Sequence, residues 1–272
     1  MKLQFTQEGD GPLVVLLHGF PESRLAWKRQ LPSLARAGFR AVAPDLRGYG
    51  DSPKPKGIDA YLMTEVVGDV AELIESLGDH PCIIVGHDWG AVAAWNLAMT
   101  RPDLVRKLVI INVPHPAAIA REVARSTRQK INLLYQVFFQ LPVLPELFMR
   151  AFGRLLLHRA ARFTAEETKA YARQWRDGSL TPMLNYYRAI RRSRGVMRKL
   201  VRRIEVPTLI LWSEHEPVFL ESSLEDMSAW IRDVRIEKLA GAGHFAQTDA
   251  PERVTQLLIE FAATPTTVPR SS

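Results

Sequence analysis

Apolar residues in this chain follow two spacings, and the spacing changes twice along its length. Up to residue 112, short unbroken apolar runs alternate with longer stretches of helical period. Leu13-Val14-Val15-Leu16-Leu17 ends at His18-Gly19, and Arg40-Ala41-Val42-Ala43 ends at Pro44-Asp45. Ile83-Ile84-Val85 follows Cys82 and ends at Gly86, and Leu108-Val109-Ile110-Ile111 ends at Asn112. Strands that are apolar on both faces belong to parallel sheets buried between helices. Helix-length segments separate them: Ser23 to Ala37, Thr64 to Leu77 and Trp89 to Thr100, with Gly38 and Gly78 as C-terminal caps. The alternation predicts an α/β fold, a mostly parallel sheet with right-handed crossovers and flanking helices.

From Pro114 to about Val206 the period is helical and no strand is evident. Phe138-Phe139, Leu147-Phe148 and Leu155-Leu156-Leu157 are spaced for amphipathic helices, interrupted by Pro142, Pro145 and Pro182. Strand character returns at Thr208 to Trp212 and at Val234 to Leu239, followed by a helix from Pro251 to Ala263. The predicted organisation is one α/β core in two parts, residues 1–113 and 207–264, interrupted by an all-helical cap over 114–206. A polar tail over 265–272 is expected to be flexible. There is no internal repeat.

Composition narrows the class without changing this picture. The 272 residues are 47% hydrophobic and 24% charged, which excludes a disordered or low-complexity chain. A single cysteine, Cys82, lies in an apolar run and excludes a disulfide framework or a multi-cysteine metal site. No apolar run reaches about 18 residues, and the first residues lack the apolar stretch of a secretory signal. A soluble cytoplasmic protein without stable membrane insertion is expected. The net charge of +7 is unevenly distributed. Residues 121–203 carry nineteen basic and five acidic residues, a balance of +14, whereas the remainder carries −7. Such a basic segment suits nucleic acid or an acidic membrane surface. With no nucleic-acid-binding motif beside it, it is read as a solvated helical face. A homodimer is one assembly that the sequence allows.

The chemistry concentrates at the ends of the predicted strands. Cys82 to Val85 runs into Gly86-His87-Asp88-Trp89-Gly90 and then a helix, the strand–turn–helix context of a nucleophile elbow, with Asp at the centre. The competing reading, an aspartate that merely caps the helix, does not require glycine on both sides. No Gly-x-Ser-x-Gly occurs, which argues against a serine esterase, lipase or peptidase. A carboxylate, with a reference pKa of about 3.9, is ionised without a base and suits displacement at saturated carbon, leaving an ester on the enzyme. A histidine is then needed only to activate water against that ester. His244, in Ala242-Gly243-His244-Phe245 after a strand, fits that part. The accompanying acid should follow an earlier strand. Asn112 stands at one such place, whereas Ser213-Glu214-His215-Glu216 offers two carboxylates, of which Glu216 is preferred to Glu214. The backbone N–H groups of Phe20 and Trp89 are the expected oxyanion donors, and the Phe20–Pro21 bond suits a cis turn. His18, His87 and His115 are read as structural, His80 and His158 as surface residues.

His18-Gly19-Phe20-Pro21-Glu22, Pro44-Asp45-Leu46-Arg47-Gly48-Tyr49-Gly50-Asp51-Ser52 and Gly86-His87-Asp88-Trp89-Gly90 together resemble the epoxide hydrolase branch of the α/β-hydrolase superfamily. The resemblance spans about residues 12 to 262 and is most specific in the core. It implies a small-molecule epoxide and water as the reactants, no cofactor and no metal. It further implies two cap tyrosines whose hydroxyls hold the epoxide oxygen. Tyr135 and Tyr187 match these by context, with Tyr186 a rival for the second. Glu216 departs from the aspartate usual in the family. Haloalkane dehalogenases share the Asp, His and Trp89 pattern but usually carry Asn where Phe20 stands. Fluoroacetate dehalogenases usually carry Arg where Trp89 stands. A non-catalytic binding protein on the same fold is the more distant alternative.

Overall fold

A computed structural model describes residues 1–265, and for residues 194 and 196–198 the backbone alone. The predicted tail lies, beyond Pro265, outside the described residues. The strands are β1 (Phe5–Glu8), β2 (Leu13–Leu17), β3 (Arg40–Pro44), β4 (Cys82–His87), β5 (Val105–Ile111), β6 (Thr208–Ser213) and β7 (Val234–Leu239). They form one sheet in the order β1-β3-β2-β4-β5-β6-β7. Only β1 runs antiparallel, against β3. The continuous apolar runs are explained by the pleat. Leu13, Val15 and Leu17 enter one core and Val14 and Leu16 the other, because successive side chains leave opposite faces.

Two helices, α1 (Gln30–Arg36) and α11 (Pro251–Ala263), cover the second face; α2 (Met63–Leu77) and α3 (Trp89–Thr100) cover the first. Between β5 and β6 lie α4 (Pro116–Arg125), α5 (Thr127–Asn132), α6 (Tyr135–Phe138), α7 (Leu144–Ala160), α8 (Ala165–Gln174) and α9 (Leu180–Leu200), and α10 (Ala246–Asp249) precedes α11. The first core continues from the sheet into this helical insertion through Phe139, Met149, Met183 and Leu184. Among the described residues no helix is long and apolar enough to cross a membrane.

Two features depart from the sequence pattern. The stretch Ser23 to Ala37 is two elements, a tight turn at Arg24–Trp27 capped by the Ser23 side chain, then α1. Pro32 has no N–H and its ring crowds the carbonyl four residues back, so one helix cannot run through Lys28. The edge strand β1 has no counterpart in the sequence pattern, because Phe-Thr-Gln-Glu is largely exposed and has no core-facing alternation. Its pairing is made by the backbone, Phe5 opposite Pro44 through Glu8 opposite Ala41.

Candidate active site

Asp88 is the single residue between β4 and α3, with φ 49° and ψ −118°. Such a conformation costs a non-glycine residue about 1–3 kcal/mol, so its surroundings must enforce it. They do so by close approach. A Cβ on Gly90 would lie 2.2 Å from the Leu17 carbonyl oxygen, and one on Gly19 would lie 2.2 Å from Asp88 Cβ. Glycine at both positions lets α3 press on the end of β2 and the loop after β2 close over Asp88. The carboxylate is thereby directed past the carboxyl ends of the strands, where open α/β sheets bind ligands. Phe20 N–H donates to Asp88 Oδ1 at 2.7 Å, and the Phe20–Pro21 bond is cis. Trp89, the other expected backbone donor, begins α3 without a hydrogen bond to that carboxylate among the described residues.

His244 lies on the loop between β7 and α10. Its Nε2 is 3.6 Å from Asp88 Oδ2, and its Nδ1 is 2.8 Å from Glu216 Oε2. The Glu216 side chain is buried, and its Oε1 accepts from Val218 N–H at 2.7 Å and Phe219 N–H at 3.3 Å. These two amides orient the carboxylate and leave its other oxygen for the imidazole. Glu214 is exposed and accepts from Gly241 N–H at 2.8 Å, so it braces the neighbouring loop and does not reach His244.

Electrostatics follow from this arrangement. Burial pushes the Asp88 carboxyl up, but the hydrogen bond and positive charge of His244 outweigh it and hold the group below its ordinary range. Burial pulls His244 down, and the charges and hydrogen bonds of Glu216 and Asp88 more than reverse it, raising the imidazole well above its ordinary value. Both effects express one ion pair: in the resting site the imidazole holds its proton between two carboxylates.

Above Asp88 lies a cavity of about 630 Å³ whose lining includes Asp88, His244, Tyr135 and Tyr187. The remaining lining is apolar, with Phe138, Phe139, Phe148, Met149, Leu156 and Val218 among it. Tyr135 opens α6 and Tyr187 lies in α9, their ring centroids 6.0 Å apart. Burial raises both phenols, and the Asp88 charge raises them further, so both keep their protons and can donate. Tyr186, one residue and about 100° around the helix, points elsewhere: its hydroxyl donates to the Arg47 carbonyl at 2.8 Å. The structure therefore brings together Asp88, His244, Glu216, Tyr135, Tyr187 and Phe20, and leaves Glu214 and Tyr186 outside.

The histidines read as structural are held by local bonds. His18 Nε2 accepts from Leu46 N–H, and His115 accepts from Ala117 N–H at the start of α4, where burial pulls it down to about 4. His87 does more than fill space, since its Nε2 donates to the His244 carbonyl at 2.8 Å. Asn112 Nδ2 donates to the same carbonyl at 2.8 Å and to Ser213 Oγ at 2.9 Å, while its Oδ1 accepts from Ser213 N–H. Asn112 thus ties the ends of β5 and β6 to the histidine loop, from a backbone φ of 61°. Buried Glu22 accepts from Gln247 Nε2, which also reaches His87 Nδ1. The sequence signal for Asn112 is its position immediately after the apolar strand β5, and for Glu22 its place in the loop that follows β2. Their partners, far away in the chain, carry no such signal.

Residues 12–251 match the model of the alpha/beta hydrolase fold family. The chain is 37% identical over 262 residues to the AB hydrolase superfamily protein YfhM of Bacillus subtilis (strain 168), covering 93% of this chain and 90% of that protein. It is 34% identical over 278 residues to epoxide hydrolase 3 of Xenopus tropicalis, covering 96% and 74%. Among solved structures, a Bacillus megaterium epoxide hydrolase in complex with an inhibitor superposes with a TM-score of 0.87 at 30% identity, covering 96% of this chain and 97% of that one. An epoxide hydrolase from Vigna radiata superposes with a TM-score of 0.83 at 28% identity, covering 95% and 93%. A strained aspartate elbow on a parallel sheet, a histidine loop after β7 and this breadth of likeness lead to one conclusion: the chain belongs to the α/β-hydrolase superfamily, in its epoxide hydrolase branch.

Proposed function

We propose that the protein hydrolyses an epoxide to a vicinal diol through an ester on Asp88. The observation that carries this reading is the presence of two kinds of group in the lining of one apolar cavity. An ionised carboxylate and two protonated phenols line it together. That arrangement suits a ring opening in which the carbon is attacked from one side while the departing oxygen gains charge on the other. The names of the similar proteins support the same reading.

In the first step Asp88 Oδ2 attacks an epoxide carbon. A C–O bond forms, the ring C–O bond breaks, and the departing oxygen takes a proton from Tyr135 or Tyr187. Both phenols strengthen their hydrogen bonds as the alkoxide develops, which is where such bonds accelerate a reaction. In the second step His244 passes its resting proton through water to the tyrosinate left by the first step, then takes a proton from water as hydroxide adds to Asp88 Cγ. The negative charge then falls on Oδ1, the oxygen that Phe20 N–H already holds at 2.7 Å. Collapse expels the diol oxygen, which takes the proton from His244, and the carboxyl group left on Asp88 then gives its proton to His244, restoring the resting pair.

The two steps place opposite demands on His244, and the geometry reconciles them. Asp88 is one of the two charges that raise its pKa. Esterification neutralises Asp88, so the imidazole loses that support and releases its proton more readily when a base is required. Glu216 remains to hold the ring and to stabilise the imidazolium that forms again.

A dehalogenase is the second reading, favoured by one feature: among the described residues the buried Trp89 Nε1–H has no hydrogen-bond partner within 3.5 Å. However, Trp89 is not among the residues lining the cavity, and two phenols beside the carboxylate in that lining have no purpose in releasing halide, a far better leaving group than an alkoxide. The test is a panel of aryl and alkyl epoxides alongside haloalkanes, scored for diol and for halide. Diol without halide supports the proposal; halide release with inert epoxides overturns it.

A further inference from the structure

The cap exposes apolar surface that folding does not use. Leu134, Val137, Val143, Leu144, Leu147 and Phe152 are each more than half exposed, and all lie between α5 and the middle of α7. Soluble chains scatter such residues singly, and a concentration of them marks an interaction site. Here they fall within one short stretch of chain, and aromatic packing joins its two helices. Phe138 of α6 packs on Phe148 of α7 with centroids 5.6 Å apart, and Phe148 packs on Phe152 at 5.4 Å. On α7 the buried residues Met149, Gly153 and Leu157 recur every four positions and face the protein. Leu144, Leu147, Phe152 and Leu155 lie on the other side, at the i, i+3, i+8, i+11 spacing of one helical stripe.

Charge identifies the occupant. Arg150 and Arg154, one turn apart on the flank of that stripe, line a small cleft with Arg176 and Trp175. The cap's ion pairs employ Arg121, Arg125, Arg188 and Arg192. Among the described residues, Arg150, Arg154 and Arg176 form none. A second copy of the chain bringing the same face to an isologous contact would add three more unneutralised guanidinium groups. An anionic surface gains from them instead. A convex helix with long apolar residues on its outer face and arginines on its flank is built to lie in a lipid headgroup layer. The cavity opens here as well, since Phe148 and Leu156 line it and are exposed.

We propose that this face of α6 and α7 docks reversibly on an anionic phospholipid surface, with its apolar stripe in the interface and Arg150, Arg154 and Arg176 on lipid phosphates. The proposal rests on the surface alone and does not depend on the reaction.

Vesicle co-sedimentation tests it. Wild type should pellet with vesicles of equal parts phosphatidylcholine and phosphatidylglycerol, remain in the supernatant with phosphatidylcholine alone, and be released by high salt. Arg150→Glu/Arg154→Glu should weaken binding about twenty-fold or more, at about fivefold per basic residue near an anionic surface. Leu144→Gln/Leu147→Gln/Phe152→Gln should also abolish pelleting, which distinguishes insertion from attraction by charge alone. None of these side chains lines the cavity, and thermal unfolding of each variant should match wild type, excluding misfolding as the cause. Wild type that stays in the supernatant with both lipids overturns the proposal. So does pelleting that the glutamine variant retains, and so does a dimer in sedimentation velocity that the glutamine variant dissolves.

Discussion

The two halves of the site are held by opposite means. On the core side, Asp88, His244 and Glu216 sit on loops at strand ends, and each is fixed by directional bonds: Phe20 N–H to Asp88, Asn112 and His87 to the His244 carbonyl, Val218 and Phe219 amides to Glu216. On the cap side, Tyr187 is held by ring packing against Trp89, Phe139 and Phe20, with centroids 4.9–5.4 Å apart, and Tyr135 by packing on Phe139 at 5.6 Å. Directional bonds fix the geometry of a donor and its acceptor, whereas ring packing fixes only where a ring lies. The half made of bonds therefore requires particular residues at particular spacings. The half made of packing requires only that a hydroxyl arrive at the right place.

The largest effect that would sharpen this contrast is in the cap. Tyr135→Phe and Tyr187→Phe each keep the ring and remove a donor. Each should slow ester formation by about 10²–10³-fold, the usual loss on deleting one oxyanion donor. The double variant should be nearly inactive, with less than additive loss because both phenols serve one oxygen. Single-turnover measurement of ester formation with an aryl epoxide reads this directly, and a double variant at wild-type rate would reduce both tyrosines to packing.

Stability should separate the regions next. Leu16, wholly buried between β3 and β4, should cost about 2–5 kcal/mol as Leu16→Ala. Leu147→Ala, on the exposed stripe of α7, should stay within about 0.5 kcal/mol. Urea unfolding of both variants is the measurement, and equal losses would show that the stripe is part of the folding core.

Much of the core was legible because its signals are local. A run such as Leu13 to Leu17 must enter a buried sheet, and Gly86-His87-Asp88-Trp89-Gly90 describes a turn that few other conformations can use. β1 was not legible, because backbone pairing on an exposed edge leaves no mark on residue type. The split of Ser23 to Ala37 was available in Pro32 but masked by the apolar period around it. Asn112 shows in the sequence only as a strand end without a carboxylate, and its bonds to Ser213 and His244 depend on residues about a hundred or more positions away. In the cap, helical period was evident but the buried side was not. Leu155, Leu156 and Leu157 read alike, yet only Leu157 is buried.

Within the core, the two carboxylates of one loop provide a finer test. Glu216→Gln should slow ester hydrolysis by about 10²-fold, the lower range of general-base assistance, and leave ester formation nearly unchanged. Glu214→Gln, at an exposed carboxylate, should alter neither by more than a few-fold. Rapid-quench separation of the two steps checks both, and the opposite ranking would invalidate the assignment of the acid.

The smallest effect expected is a difference in pH response. Asp88 is held below its ordinary range, so ester formation should be flat from mildly acidic to alkaline pH. Ester hydrolysis requires the unprotonated imidazole, whose pKa is raised by Glu216 even after the Asp88 charge is gone. It should therefore rise with pH in a one-proton step whose midpoint lies below the pKa of His244 in the resting enzyme, where the Asp88 charge adds its support. A pH-independent hydrolysis step would contradict the reading of His244 as the base.

The central claim is that Asp88 forms a covalent ester and that His244 is needed only to remove it. The most direct test is intact-protein mass spectrometry of His244→Gln incubated with an aryl epoxide, followed by peptide mapping. The account predicts one added substrate mass on the peptide containing Asp88, persisting while turnover is absent. Unmodified protein after prolonged incubation, with turnover equally absent, would contradict it.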